Sequence, residues 1–231
     1  MRGPMLPMAL GLLLATQTGC ITVPRVSLPD APVPVLFVPG TDDAASRMAF
    51  MMDLFAAAGW PRDRLYTVEL HPNGGEIPIE AVAYQVGHAA ESLRRRTHAE
   101  RVDVVGFSQG ALSTRYWMQE LGGQPHVRRF ISISGPHQGT WLAYLRADPA
   151  LVQMRPGSAF LRELNQYDAH FGDSEVFCFW TPWDGVIVPA SHSLLPGVPA
   201  RSFPVLFHPA MIVSPSVISA AIEVLARPPS Q

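Results

Sequence analysis

Val102-Asp103-Val104-Val105-Gly106-Phe107-Ser108-Gln109-Gly110-Ala111 is the stretch on which the reading of this chain turns. A β-branched, mostly apolar run leads into Gly-Phe-Ser-Gln-Gly, and an amphipathic stretch from Ala111 to Leu121 follows it. This is the strand–turn–helix context of a G-x-S-x-G nucleophile elbow. The turn is too tight for side chains at its first and last positions, so Gly106 and Gly110 fill them. It lifts the Ser108 hydroxyl clear of the strand and onto a helix N-terminus, where backbone dipoles favour developing negative charge.

The rest of the chain bounds what such a serine does. Its 231 residues suit one domain, and 48% hydrophobic content is ample for a core. Charged residues are 16% and the net charge is −2, which leaves no basic footprint for nucleic acid. All 17 basic residues are arginine. Arg94-Arg95-Arg96 reads as the solvated end of a helix rather than a binding patch.

Residues 1–20 read as a targeting segment. Arg2 supplies the positive start, and Met8 to Ala15 an apolar run too short to span a bilayer. Thr18-Gly19-Cys20 then resembles a bacterial lipoprotein signal, in which the cysteine is lipidated and becomes the new N-terminus; Gln17 departs from the usual aliphatic residue there. An ordinary secretory peptide is the alternative. Either way the expectation is export, to the cell envelope or the medium, with membrane attachment through Cys20 in the first case. Cys178 sits in the apolar run Val176 to Trp180 and reads as a core thiol. A Cys20–Cys178 disulfide would require an unlipidated Cys20 and a tail that reaches the core. Two cysteines at this spacing suggest no metal site.

Residues 21–32 are Pro-rich and read as a tether to a domain spanning 33–227. Strands are predicted at 33–38, 65–70, 102–107, 130–134, 175–180 and 200–206. Helices are predicted at 44–58, 79–96, 109–121 and 217–225, the last with Ser214 as N-cap and Pro215 at its first turn. Apolar strands alternating with helices predict an α/β fold: a mostly parallel central sheet covered by helices on both faces. Residues 135–174 break this rhythm, with weak helical patterning at 140–147 and 158–164. Such an excursion is expected at the strand C-termini as a cap over the ligand site. Its apolar Trp141-Leu142, Tyr144-Leu145 and Phe160-Leu161 patches suit either core or an acyl groove.

A serine hydroxyl needs a base, and the base an orienting acid. After an elbow of this kind the chain order is serine, acid, histidine. Of the five histidines beyond Ser108, only His208 lies after the last strand and before the last helix. Asp184, in Thr181-Pro182-Trp183-Asp184-Gly185, follows the penultimate strand; Asp168 and Asp173 precede it. An oxyanion hole needs two backbone N–H groups. The Gln109 amide is one. The loop Val38-Pro39-Gly40-Thr41 offers the Thr41 amide as the other, with the Thr41 hydroxyl available as a third donor. Asp42 and Asp43 are expected to cap the helix that begins near Ala44.

These segments together resemble the bacterial lipase/esterase group of the α/β-hydrolase superfamily, in its small form with a minimal lid. The resemblance rests on Val38-Pro39-Gly40-Thr41, Gly106 to Gly110, Ser134-Gly135-Pro136-His137-Gln138-Gly139-Thr140, Arg155-Pro156-Gly157-Ser158, Asp184 to Pro189, and His208. Many relatives carry His-Gly where this chain has Pro39-Gly40; some lipases carry Pro-Gly-Thr. The resemblance implies an α/β-hydrolase fold, hydrolysis of carboxylic and lipid esters through an acyl-enzyme, and no cofactor. It places His137 near the site, where it is taken as holding its loop. Activity is then expected to fall as pH drops and His208 takes up a proton. A thioesterase, amidase or polyester depolymerase would use the same residues. A catalytically inactive envelope binding protein is the reading from a different class.

Overall fold

The computed structural model describes residues 24–166 and 171–228. Residues 1–20 with Cys20, read from the sequence as a targeting segment, and also Asp168 and His170, lie outside them. Among the described residues, six strands form one wholly parallel sheet: β1 (Val35–Val38), β2 (Leu65–Thr67), β3 (Val102–Phe107), β4 (Val127–Ile133), β5 (Glu175–Trp180) and β6 (Ala200–Ser202). Their order is β2-β1-β3-β4-β5-β6. Among the described residues, six α-helices accompany them: α1 (Ala49–Ala58), α2 (Ile79–Thr97), α3 (Gln109–Glu120), α4 (Pro149–Gln153), α5 (Ala159–Leu164) and α6 (Pro215–Ala226). No helix among the described residues is long and apolar enough to cross a membrane.

Side chains alternate across a strand, and β1 shows the result. Val35 and Phe37 join a core with Met51 and Phe55 of α1 and Ile218 and Ile222 of α6. Leu36 and Val38 join the opposite core, with Val82 and Val86 of α2 and Trp117 and Met118 of α3. All four β1 residues are wholly buried. Both faces are thus covered, which is why the strands read as continuous apolar runs rather than alternating ones. Val26 and Leu28, in the Pro-rich segment, pack against the α1–α6 core.

Elements differ from the sequence reading at their ends. β4 starts three residues early because Arg129 is buried as well as Phe130. Arg129 pairs with Glu175 at 3.1 Å and donates to the carbonyls of Arg227 at 2.6 Å and Pro228 at 2.9 Å. Arg128 donates to the Leu225 carbonyl at 2.7 Å, so two arginines satisfy carbonyls at the end of α6. β6 stops at Ser202, short of Pro204, which has no N–H for a ladder. Residues 45–48 form a 3₁₀ turn ahead of α1. Ser214 occupies the N-cap of α6 but makes no capping bond; its hydroxyl pairs with Ser216 at 3.0 Å. Asp42 and Asp43 do not cap either, because arginines take their carboxylates: Arg146 at 2.7 Å and Arg47 at 3.0 Å.

The excursion leaves β4 and is laced to the body. Its short 3₁₀ turn (Trp141–Leu145), α4 and α5 share a third apolar cluster with Ile79 of α2 and Leu112 of α3. Phe160 and Leu161 belong to that cluster, whereas Trp141, Tyr144 and Leu145 are exposed. Gln153 accepts from the Ile79 amide at 2.7 Å and donates to Glu80 at 2.7 Å. Buried Arg115 on α3 holds the end of α5 through Asn165 at 2.7 Å and the Leu164 carbonyl at 2.9 Å.

Candidate active site

The sheet order reverses between β1 and β3, and the loops leaving those two strands part there, the usual place for a site in an open parallel sheet. Ser108 follows β3 with φ 53° and ψ −126°, a conformation that costs energy for any residue with a Cβ. Its amide donates to the Ile133 carbonyl at 2.9 Å, which pins the elbow to the end of β4. Both flanking glycines are required by space. A Cβ on Gly106 would sit 2.7 Å from the Ala111 Cα, and one on Gly110 only 2.2 Å from the Pro39 carbonyl oxygen.

Asp184 and His208 lie 24 residues apart and meet. His208 Nδ1 is 2.9 Å from both carboxylate oxygens of Asp184. The backbone joins them again, since the His208 amide donates to the Asp184 carbonyl at 2.8 Å. Both side chains are buried, and Asp184 Oδ1 also accepts from the Ile187 amide at 2.6 Å. Burial alone would raise the Asp184 pKa. The His208 hydrogen bond and charge, with the Ile187 amide, outweigh it and hold the carboxyl below its ordinary value. A carboxylate fixed on Nδ1 sets the tautomer that presents Nε2 as an acceptor. That Nε2 is buried and has no hydrogen-bond partner among the described residues, so the Ser108–His208 bond is not closed in this structure. The His208 ring packs on Phe107 at 4.6 Å between centroids, beside the serine.

Ser108 and His208 line one cavity of 280 Å³. Thr41, Asp42 and Asp43 border it from the β1 side. Leu142, Ala143, Leu151 and Met154 of the excursion, with Val186 and Ile187 beyond Asp184, make its wall largely apolar. A Cβ on Gly40 would come within 2.9 Å of the Ser108 Cβ, so glycine is what lets the Thr41 loop approach the serine. Among the described residues neither the Thr41 nor the Gln109 amide donates to a backbone carbonyl. The Thr41 hydroxyl donates to the Gln109 side-chain carbonyl. The proton that the sequence offered as a third oxyanion donor is thus engaged by Gln109. The hydroxyl clasps together the two residues whose amides the sequence singled out.

The remaining expectations sort by position. Asp173 faces solvent near Arg101, away from His208. His137 is wholly buried, with Nε2 2.8 Å from the Ser132 hydroxyl and its carbonyl accepting from Asn165 at 3.0 Å. Burial, and then the Arg115 charge, push its pKa well below the ordinary histidine value, so it stays neutral within its loop. Cys178 is a buried free thiol whose pKa burial raises to about 11. Thr140 was legible only as part of the Ser134 to Thr140 segment, yet its hydroxyl donates to the Val186 carbonyl at 2.6 Å and accepts from the Val188 amide at 3.0 Å. It stitches the excursion to the Asp184 loop. Arg146 gave no sequence signal at all, and it borders the cavity. Four of the five described non-glycine residues with positive φ stand around this site: Asp42, Ser108, Ser134 and Phe207.

A parallel sheet with a glycine-flanked serine turn after β3, and an Asp–His pair from the loops after β5 and β6, is the arrangement found in α/β-hydrolases of the lipase/esterase type. Solved structures share the fold. Aspergillus fumigatus lipase B superposes with TM-score 0.73 at 21% identity, over 89% of this chain and 57% of that lipase's length. The mature Bacillus licheniformis lipase BlEst2 gives 0.71 at 15% identity, over 89% and 96%. The metagenomic carboxyl esterase MGS0156 gives 0.63 at 13%, over 86% and 76%. The palmitoyl protein thioesterase family model matches residues 34–153, from β1 through the elbow to the end of α4, and the chain belongs to that family.

Proposed function

We propose that this protein is a serine hydrolase that cleaves carboxylic esters of the lipid type, with Ser108 as nucleophile, His208 as base and Asp184 as its orienting acid. The observation that carries the reading is the His208 ring, fixed by Asp184 on Nδ1 and unpartnered on Nε2 in the cavity that holds Ser108. Ser108 Oγ attacks the acyl carbonyl and gives its proton to His208 Nε2. The Thr41 and Gln109 amides hold the oxyanion. The tetrahedral intermediate expels the alcohol, which takes the proton from His208. Water, deprotonated by His208, then attacks the acyl-Ser108 ester, and the acid leaves as His208 returns that proton to Ser108 Oγ. The apolar wall suits an acyl chain.

Stoichiometric labelling by a fluorophosphonate, mapped to Ser108 by peptide mass, is the expected result. A folded protein that takes no label would favour a binding role. The family match favours a second reading, acyl thioesters as substrates, for which the same groups would serve. Matched oxyester and thioester substrates of one acyl length separate the two by kcat/KM. Export through residues 1–20 and anchoring through Cys20 complete the proposal. The mass of the mature N-terminus decides it, since a diacylated Cys20 and a free N-terminus after simple cleavage differ by the lipid.

A further inference from the structure

Asp42 follows Thr41 directly and has a left-handed backbone, φ 61°, uncommon for a residue with a side chain. The groups that hold it come from outside its loop. Its amide donates to the Asn73 carbonyl at 2.8 Å, and its carboxylate accepts from Arg146 at 2.7 Å. Arg146 ends the 3₁₀ turn of the excursion. It also donates to Asp148 at 2.9 Å and to the Gly74 carbonyl, and its own carbonyl accepts from Arg155 at 2.9 Å. One guanidinium thus joins three segments: the loop after β1, the loop before α2, and the excursion.

We propose that Arg146 is a positioning residue for catalysis: through Asp42 it holds the turn after Gly40, and with it the Thr41 amide, in place for the oxyanion. This rests on the acyl-hydrolase reading above. As a stability device the pair is weak, because the Arg146 and Asp42 side chains are 37% and 63% exposed. As a geometric device it matters more. Oxyanion donors act only when preorganised, and a displacement of about 1 Å at a reacting centre costs up to about a hundredfold in rate. Arg146 also borders the cavity, so direct contact with substrate is the competing role.

The test compares wild type with Arg146→Met, Arg146→Lys and the double variant Asp42→Gly/Arg146→Met, on a soluble short-chain ester and in fluorophosphonate labelling. Arg146→Met is expected to lower kcat about tenfold or more, with KM within about twofold, and to slow labelling in parallel. Arg146→Lys keeps the charge but not the planar fork that reaches several acceptors at once, so its kcat falls between the two. The double variant recovers most of kcat, because glycine takes φ 61° without an external hold. A rise in KM at unchanged kcat would make Arg146 a substrate contact and overturn the proposal. So would wild-type kinetics in Arg146→Met, or a double variant no better than the single one. If Arg146→Met fails to fold, Arg146→Lys with Asp42→Gly carries the same comparison. A wild type that neither hydrolyses nor labels removes the acyl-hydrolase reading itself, an outcome distinct from all of these.

Discussion

An Asp184→Asn variant is expected to hydrolyse esters about 10⁴-fold more slowly than wild type, with its fold kept. The amide is isosteric, so the contact with His208 Nδ1 can survive. It can do so with the amide N–H donating to Nδ1, which leaves the proton on Nε2 and deprives Ser108 of its acceptor. The imidazolium formed during attack also loses its counter-charge. Burst kinetics with a chromogenic ester measure the effect on acylation directly. A loss under about tenfold would show that another group orients His208. The same carboxylate shapes acid behaviour. Its folded-state pKa lies below the ordinary value, so its contribution to stability is full above the ordinary carboxylate range and fades as pH falls through the lower folded value. Asp184→Asn should flatten that part of the acid limb in a series of melts below about pH 4.

Gly110→Ala is expected to be the most damaging single methyl in the chain. The new Cβ would lie 2.2 Å from the Pro39 carbonyl oxygen and 2.6 Å from that of Val38, and neither can swing aside as a side chain can. Because β1 is wholly buried, relief requires α3 to back away from the sheet. A loss of about 4 kcal/mol is expected. In a domain of this size that is a drop in melting temperature of roughly 10 °C. Gly122→Ala is the control. It meets no atom within 4 Å, and its φ of 71° costs only the left-handed penalty, about 1 kcal/mol. Equal losses in the two variants would mean that α3 is not seated by Gly110.

The two cases also show what the sequence could reveal. Gly106 and Gly110 were legible because a tight turn between an apolar run and an amphipathic one leaves few alternatives. Asp184 and His208 were legible from their order relative to the strands, and the structure brings them together. The Asp42–Arg146 pair spans 104 residues, and the Thr41–Gln109 clasp 68; no local pattern encodes either. Capping rules failed at Asp42, Asp43 and Ser214 for a related reason. Each side chain has a competing partner, and for the two aspartates the partner is an arginine that the local sequence rule ignores. Strand ends moved where a buried charge or a proline overrode hydrophobic patterning, at Arg129 and Pro204.

The left-handed residues around the site have a practical consequence for anyone who wishes to harden this protein. Glycine at Ser134 or Phe207 would remove local backbone strain, and conventional stabilisation would start there. Those turns, however, carry the loops that seat His137 and His208. The gains in thermal tolerance and the losses in turnover are therefore expected at the same few positions. Safer targets lie at the opposite end of the strands, where Arg128 and Arg129 at the start of β4 tie down the last helix and neither borders the cavity.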